Sequence, residues 1–130
     1  MDNQETLIVT KTDFEKLSSL IRTATSDVAE LLDEELSRAS VVSDNELPED
    51  VVSMNSTVRF QDLDTGGETV VTLVYPHEAK IEENKISIFA PVGSALIGLR
   101  VGQVIQWPIP NGKEKRLRVI SVLYQPESAQ

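Results

Sequence analysis

Three groups of side chains in this sequence have types and spacings that could do chemistry. The first is His77, the single histidine, in Tyr75-Pro76-His77-Glu78. A histidine beside a hydroxyl can serve as general base for a serine nucleophile. The chain has no Gly-x-Ser-x-Gly elbow, and Gly93-Ser94 lacks the rest of one. His77 therefore reads as a loop histidine at a strand exit. The second group is Asp27 and Glu30, three residues apart, followed by Asp33, Glu34 and Glu35. Carboxylates on one helix face at a projecting tip can hold a hard cation such as Mg²⁺, with waters and a partner completing the shell. The same two acids also complement the dipole of a helix N-terminus, and that simpler role carries more weight. The third group is Lys113, Lys115, Arg116 and Arg118. Without interleaved aromatics it is a weak nucleic-acid patch and a better charged strand face.

Other site classes lack their residues. Gly66-Gly67 has no following Lys-Ser or Lys-Thr, and Gly93, Gly98 and Gly102 do not have dinucleotide-loop spacing. There is no cysteine, hence no disulfide and no thiolate metal site. One histidine cannot build a multi-histidine site. The expectation is a protein without catalytic residues, metal or cofactor.

The elements that would position these groups fit one domain with a small appendage, at 130 residues with 40% hydrophobic and 25% charged side chains. The net charge of −9 is uneven. Residues 1–50 hold 13 acids and four bases, whereas residues 51–130 hold eight of each. Acids repel phosphate backbones, so the first part is no nucleic-acid binder. No apolar run approaches ~18 residues, and MDNQETLIV has no basic lead-in to an apolar block. Neither a membrane span nor a signal peptide is expected, and the default location is cytoplasmic.

Leu7-Ile8-Val9 is a brief apolar run. Thr12 and Glu15 have capping-box spacing, with Thr10 and Asp13 a near variant. Phe14, Leu17, Leu20, Ile21 and Ala24 then share one helical face. Ser26 or Asp27 can cap a second helix, whose stripe is Val28, Leu31, Leu32, Leu36 and Ala39. Two such helices form a hairpin, each on the order of 20 Å long. Ser43 to Asp50 is polar and acidic and reads as a connector. Strands are predicted at 56–60, 69–75, 86–89, 104–107 and 117–124, with turns at Asp64–Gly67, Glu82–Lys85 and Pro110–Lys113 and one short helix within Ser94–Leu99. The tail PESAQ reads as frayed.

The densest apolar stretch is ISIFAPVGSALIGLRVG, 86–102, with no acid and one base, Arg100. With QVIQW after it, and with DVVSMNSTVRF (50–60) and VTLVYP (71–76) before it, it resembles the C-terminal domain of bacterial Gre transcript-cleavage factors. Over roughly residues 5–126 the whole chain is similar to the regulator of nucleoside diphosphate kinase (Rnk) family of that superfamily. The resemblance implies an α+β fold: a short N-terminal antiparallel helical hairpin (coiled coil), then an FKBP-like antiparallel β-sheet domain with one short helix. The implied boundaries are 1–43 for the hairpin, 44–50 for a linker and 51–130 for the second domain.

The resemblance also implies a partner, RNA polymerase at its secondary-channel rim. The docking loop would be Ala90-Pro91-Val92-Gly93-Ser94-Ala95-Leu96, leaving Ile86, Ile88, Ile97 and Leu99 to the core. Asp27 and Glu30 have the Asp-x-x-Glu spacing of a Gre hairpin tip. The hairpin is far shorter than a Gre hairpin, so the cleavage-stimulating role is not carried onto them. Ala90 also stands where Gre factors usually have serine. The implied function is a non-enzymatic regulator that competes with Gre-type factors, with an effect on nucleoside diphosphate kinase suggested by the family name. The alternative is an FKBP-like binding module acting directly on that kinase or another partner. Phe60, Tyr75, Phe89, Trp107 and Tyr124 are spread one per strand, which does not make an isomerase pocket. A monomer without sequence-specific nucleic-acid binding is expected.

Overall fold

The computed structural model describes residues 7–24, 26–108 and 114–126. The expected turn at Pro110–Lys113 and the last four residues of the tail lie outside them. The chain begins with strand β1 (Ile8–Thr10), helix α1 (Lys11–Thr23), helix α2 (Asp27–Ser37) and strand β2 (Ser40–Val42). The cap of α1 is Thr10, whose hydroxyl accepts from the Asp13 N–H at 3.1 Å. The helix therefore starts two residues before the Thr12–Glu15 box would place it. Thr12 instead turns outward, donating its N–H and hydroxyl to the Asp44 carboxylate. Ser26 caps α2 by accepting from the Ala29 N–H at 3.1 Å. Leu17, Leu32 and Leu36 are buried at the centre, with Phe14, Leu20, Ile21, Leu31 and Ala39 packed around them.

Below the helices, β1 and β2 pair in parallel, from Ile8↔Ser40 to Thr10↔Val42. Ser40–Val42 lies just outside both helical stripes. Its pairing with β1 is non-local and invisible to periodicity. The connector that follows is tied down. Asp44 is held by Thr12, and the Gln125 amide donates to the carbonyls of Pro48 (2.8 Å) and Val51 (2.7 Å).

The second part is a five-stranded sheet of β3 (Thr57–Asp62), β4 (Glu68–Val74), β5 (Lys85–Ser87), β6 (Val104–Pro108) and β7 (Glu114–Tyr124), in the order β5-β4-β3-β7-β6. Three pairings are antiparallel, as expected. The β4–β5 pairing is parallel, so the sheet is mixed. The reason lies in the connection: two 3-10 turns, Pro76–Glu78 and Ile81–Glu83, return the chain beside the strand it left. Asn84, at φ 58, makes the final reversal; asparagine tolerates this left-handed conformation better than most residues.

Helix α3 (Pro91–Leu96) lies against the inner face of the sheet. Val58, Phe60, Val71, Leu73, Ile105, Leu117 and Val119 meet Leu96, Ile97 and Leu99 there, and the same core continues to Leu7, Leu17, Leu32 and Leu36. Burying each such side chain is worth about 1.5–3 kcal/mol. Short helices gain their stability from this kind of packing rather than from propensity. The seam between the parts is close. The Ile8 N–H donates to the Gly98 carbonyl at 3.1 Å, and Gly98 has φ 78 with no room for a side chain: a Cβ there would sit 2.8 Å from Leu7 Cβ.

Candidate functional site

Within the stretch expected as a loop, Pro91–Leu96 is a short helix with Ala90 at its cap. Ala90 is extended (φ −69, ψ 146) at the cap position, and proline occupies the first turn, where its missing N–H costs nothing. The Ala90 N–H donates to the Ser87 carbonyl and the Ser94 N–H to the Ala90 carbonyl, both at 2.9 Å. Gly93 is required by contact: a Cβ would lie 2.2 Å from the Ser87 carbonyl oxygen. These bonds hold the helix start rigidly against β5.

Burial divides the seven expected docking residues. Ala90 and Val92 are half-buried and reach the surface. Gly93, Ser94, Ala95 and Leu96 are buried, Leu96 completely. The expectation of a surface run through Leu96 is corrected on this point: in a helix lying on a sheet, the residues one turn after the exposed start face inward. Ile88, Ile97 and Leu99 are fully buried, as expected, while Ile86 is half-buried against the core.

Asp27 and Glu30 are exposed on the first turn of α2. Among the described residues, no three His, Cys, Asp or Glu side chains converge to hold a metal ion. In the described part of the basic cluster, Arg116 is engaged by Asp64 at 3.0 Å, and Arg118 is exposed.

A groove of about 470 Å³ lies where α1 meets the second part, lined by Lys16, Ser19, Leu20, Asn55, Tyr75, His77 and Glu78. His77 stands at its edge, exposed, which agrees with a loop histidine. The Lys16 ammonium lies 5.8 Å from the centre of the Tyr75 ring, a cation–π distance. At the ring's hydroxyl end is Asp13, only 6% exposed. Its carboxylate accepts from the Met54 N–H at 3.1 Å and the Tyr75 hydroxyl at 3.4 Å. These contacts span 41 and 62 residues of sequence and join the hairpin to the sheet. Asn55, at φ 66, turns the chain so that its own N–H reaches the Leu73 carbonyl at 2.6 Å.

Asp13, Lys16, Asn55 and Tyr75 were not singled out from the sequence as site residues. The available signal was spacing. Asp13 lies four residues before Leu17, so it falls on the buried face, and an acid there needs partners.

Two exposed carboxylates have depressed pKa values. Asp44 is lowered chiefly by the Thr12 hydroxyl, then by the Thr12 N–H. Glu83 is lowered by hydrogen bonds from Lys80, then Lys85.

Residues 47–124 match the family described as Transcription elongation factor, GreA/GreB, C-term, and residues 6–42 match Rnk N-terminus. The Regulator of nucleoside diphosphate kinase of Escherichia coli is 42% identical over 130 residues, covering 98% of this chain and 96% of that one. Transcription elongation factor GreA of Clostridium botulinum is 40% identical over 84 residues, 65% of this chain but 52% of that protein. Among solved structures, a prokaryotic transcription elongation factor GreA/GreB from Nitrosomonas europaea superposes with a TM-score of 0.76 at 43% identity, covering 93% of this chain and all of that one. N-terminal helices joined to a curled five-stranded sheet are thus a Gre-type architecture. With both halves matched in order, the chain belongs to the regulator of nucleoside diphosphate kinase family, an Rnk N-terminus on a GreA/GreB C-terminal domain.

Proposed function

We propose that this protein is a non-enzymatic transcription regulator that binds RNA polymerase at the secondary-channel rim and competes there with Gre-type factors. The observation that carries this reading is the match of residues 47–124 to the GreA/GreB C-terminal family. The geometry adds a mode of contact. Ala90, Pro91 and Val92 open a helix held rigidly against β5, and a rigid edge loses little freedom on binding. Gly93 to Leu96 support that edge from inside rather than touch the partner.

The mechanism is occupancy. At 13 and 11 residues the two helices reach on the order of 20 Å. Asp27 and Glu30 at their tip would sit in the channel mouth, short of a distant metal. Residues 1–43 act as the acidic plug, 44–50 as the connector and 51–130 as the anchor. The protein works as a monomer in the cytoplasm; among the described residues no helix is long and apolar enough to cross a membrane. The test is a pull-down with core polymerase. Binding displaced by a Gre factor is the expected result. Absent binding, or binding a Gre factor does not disturb, refutes the reading.

The E. coli relative's name motivates a second reading, an effect on nucleoside diphosphate kinase. No phosphate loop exists in the chain, so this effect runs through expression or protein contact. Kinase assays with the two purified proteins separate these routes.

A further inference from the structure

The outer face of the five-stranded sheet carries two exposed arginines, Arg59 and Arg118, among half-buried Thr57, Gln61, Val70, Thr72 and Ser121 and one exposed acid, Glu68. Val58 and Phe60 of β3 and Leu117 and Val119 of β7 point into the core, so Thr57, Arg59, Gln61, Arg116 and Arg118 point outward. Register sets them in rows across the strands. Glu68, Gln61, Arg118 and Val104 form one row; Val70, Arg59 and Ser121 form the next; Thr72, Thr57 and Tyr124 form the third. Arg59 and Arg118 are diagonal neighbours on adjacent strands, about 7–8 Å apart at their stems. Arg116 is taken by Asp64. Arg59 and Arg118 are exposed and have no ion-pair partner among the described residues.

We infer that this face is a second docking surface, and that its occupant is an extended acidic segment of a partner protein, with carboxylates at alternate positions. Guanidinium forks bind carboxylates in bidentate fashion. Alternate residues of a strand lie about 6.6 Å apart on the same side, which matches the arginine spacing. Ser121 adds a neutral hydrogen-bonding group beside the pair, while the Thr57 and Thr72 hydroxyls bond each other at 2.9 Å and the Gln61 amide donates to the Gly66 carbonyl. Nucleic acid fits less well. Tyr124, at a corner, is the aromatic of these rows, too little for a stacking platform. The acids of residues 1–50 also repel a polyphosphate. A second copy fits less well because each chain carries −9. The surface lies on the opposite side of the sheet from α3, so it does not depend on the polymerase reading and can be occupied at the same time.

The test is fluorescence anisotropy on the full chain at low salt. The probe is a labelled peptide of alternating Glu and Thr; an oligouridylate of matched length is the second arm. The expected result is peptide binding that weakens about tenfold or more in Arg59→Ala/Arg118→Ala, with the melting temperature unchanged. Arg59→Lys/Arg118→Lys keeps the charge but not the fork, and should recover only a minor part. No peptide binding, or binding equal in the double alanine variant, overturns the proposal. Tighter arginine-dependent binding of the oligonucleotide overturns the class of partner. Sedimentation showing an arginine-dependent dimer overturns it in favour of a second copy.

Discussion

Replacing Asp13 with alanine tests how the two parts of the chain are joined. The carboxylate is nearly buried and serves Met54 and Tyr75, both themselves buried. Deleting it leaves the Met54 N–H without this acceptor in a place water does not reach. An orphaned buried donor costs about 1–3 kcal/mol. The Tyr75 contact is long at 3.4 Å and Tyr75 lines the groove, so water can replace Asp13 there; its loss adds about 0.5 kcal/mol. Relief from burying a carboxylate works the other way. The net expectation is a loss of about 2 kcal/mol, or roughly 6–10 °C for a chain of this size. Asp13→Asn retains an acceptor for Met54 and should lose less than half as much. Urea denaturation followed by circular dichroism measures both. Hydrogen exchange should show residues 11–37 opening more readily than β3 and β4. The reasoning fails if Asp13→Ala lies within 0.5 kcal/mol of the parent, or if the asparagine variant is as damaged as the alanine.

Gly98→Ala and Gly66→Ala both force a left-handed residue, at a cost of about 1–2 kcal/mol, but only Gly98 also meets a neighbour, at 2.8 Å. Gly98→Ala should therefore be the worse by about 1–3 kcal/mol; equal losses in a melting experiment would remove the steric argument. Asp44 and Glu83 are depressed below their ordinary 3.8 and 4.5, so their stabilising effect is complete above those values and disappears as pH falls through the lower folded ones. Asp44→Asn should be less stable than the parent at neutral pH and indistinguishable from it in strong acid; a difference that persists at low pH contradicts this. Val92→Asp should abolish polymerase binding while the chain still melts cooperatively, whereas Leu96→Asp should unfold it. If Asp27→Asn/Glu30→Gln, rather than Val92→Asp, abolishes binding, the anchor is the hairpin.

Much of this architecture was legible because its signals are local. The α1 and α2 stripes, the Asp64–Gly67 turn and the β-branched run of β4 each declare themselves within about ten residues. What stayed hidden was non-local. The β1–β2 pair joins residues 32 apart, and β5 turns parallel through a connection no periodicity encodes. The apolar density of 86–102 was read correctly as central. Ile88, Ile97 and Leu99 are buried as that reading has it, but Gly93 to Leu96 are buried too, because strand and helix alternate inward residues differently and the switch falls at Ala90–Pro91. Asp13 illustrates the same limit. Its cap role is visible in the spacing from Thr10, but its bonds to Met54 and Tyr75 exist only once the hairpin is packed.

The placement of the hairpin decides what its charge can do. Helix α2 packs against α3, on the core side of the sheet, and the Asp13 contacts hold the hairpin there. The acids of α1 and α2 are thereby kept away from Arg59 and Arg118 on the opposite face. Were the hairpin free to swing, those arginines would be neutralised within the chain and the protein would lose its polarity. Held apart, the acidic helices and the two arginines give the molecule an uneven charge distribution, which orients it as it approaches a charged partner. Loosening the hairpin with Asp13→Ala should therefore slow association at low salt more than at high salt, since screening removes the steering in both proteins. Stopped-flow association rates with core polymerase, across a salt series, measure this directly. Parallel salt dependences for the parent and the variant would show that the hairpin's position contributes nothing to the approach.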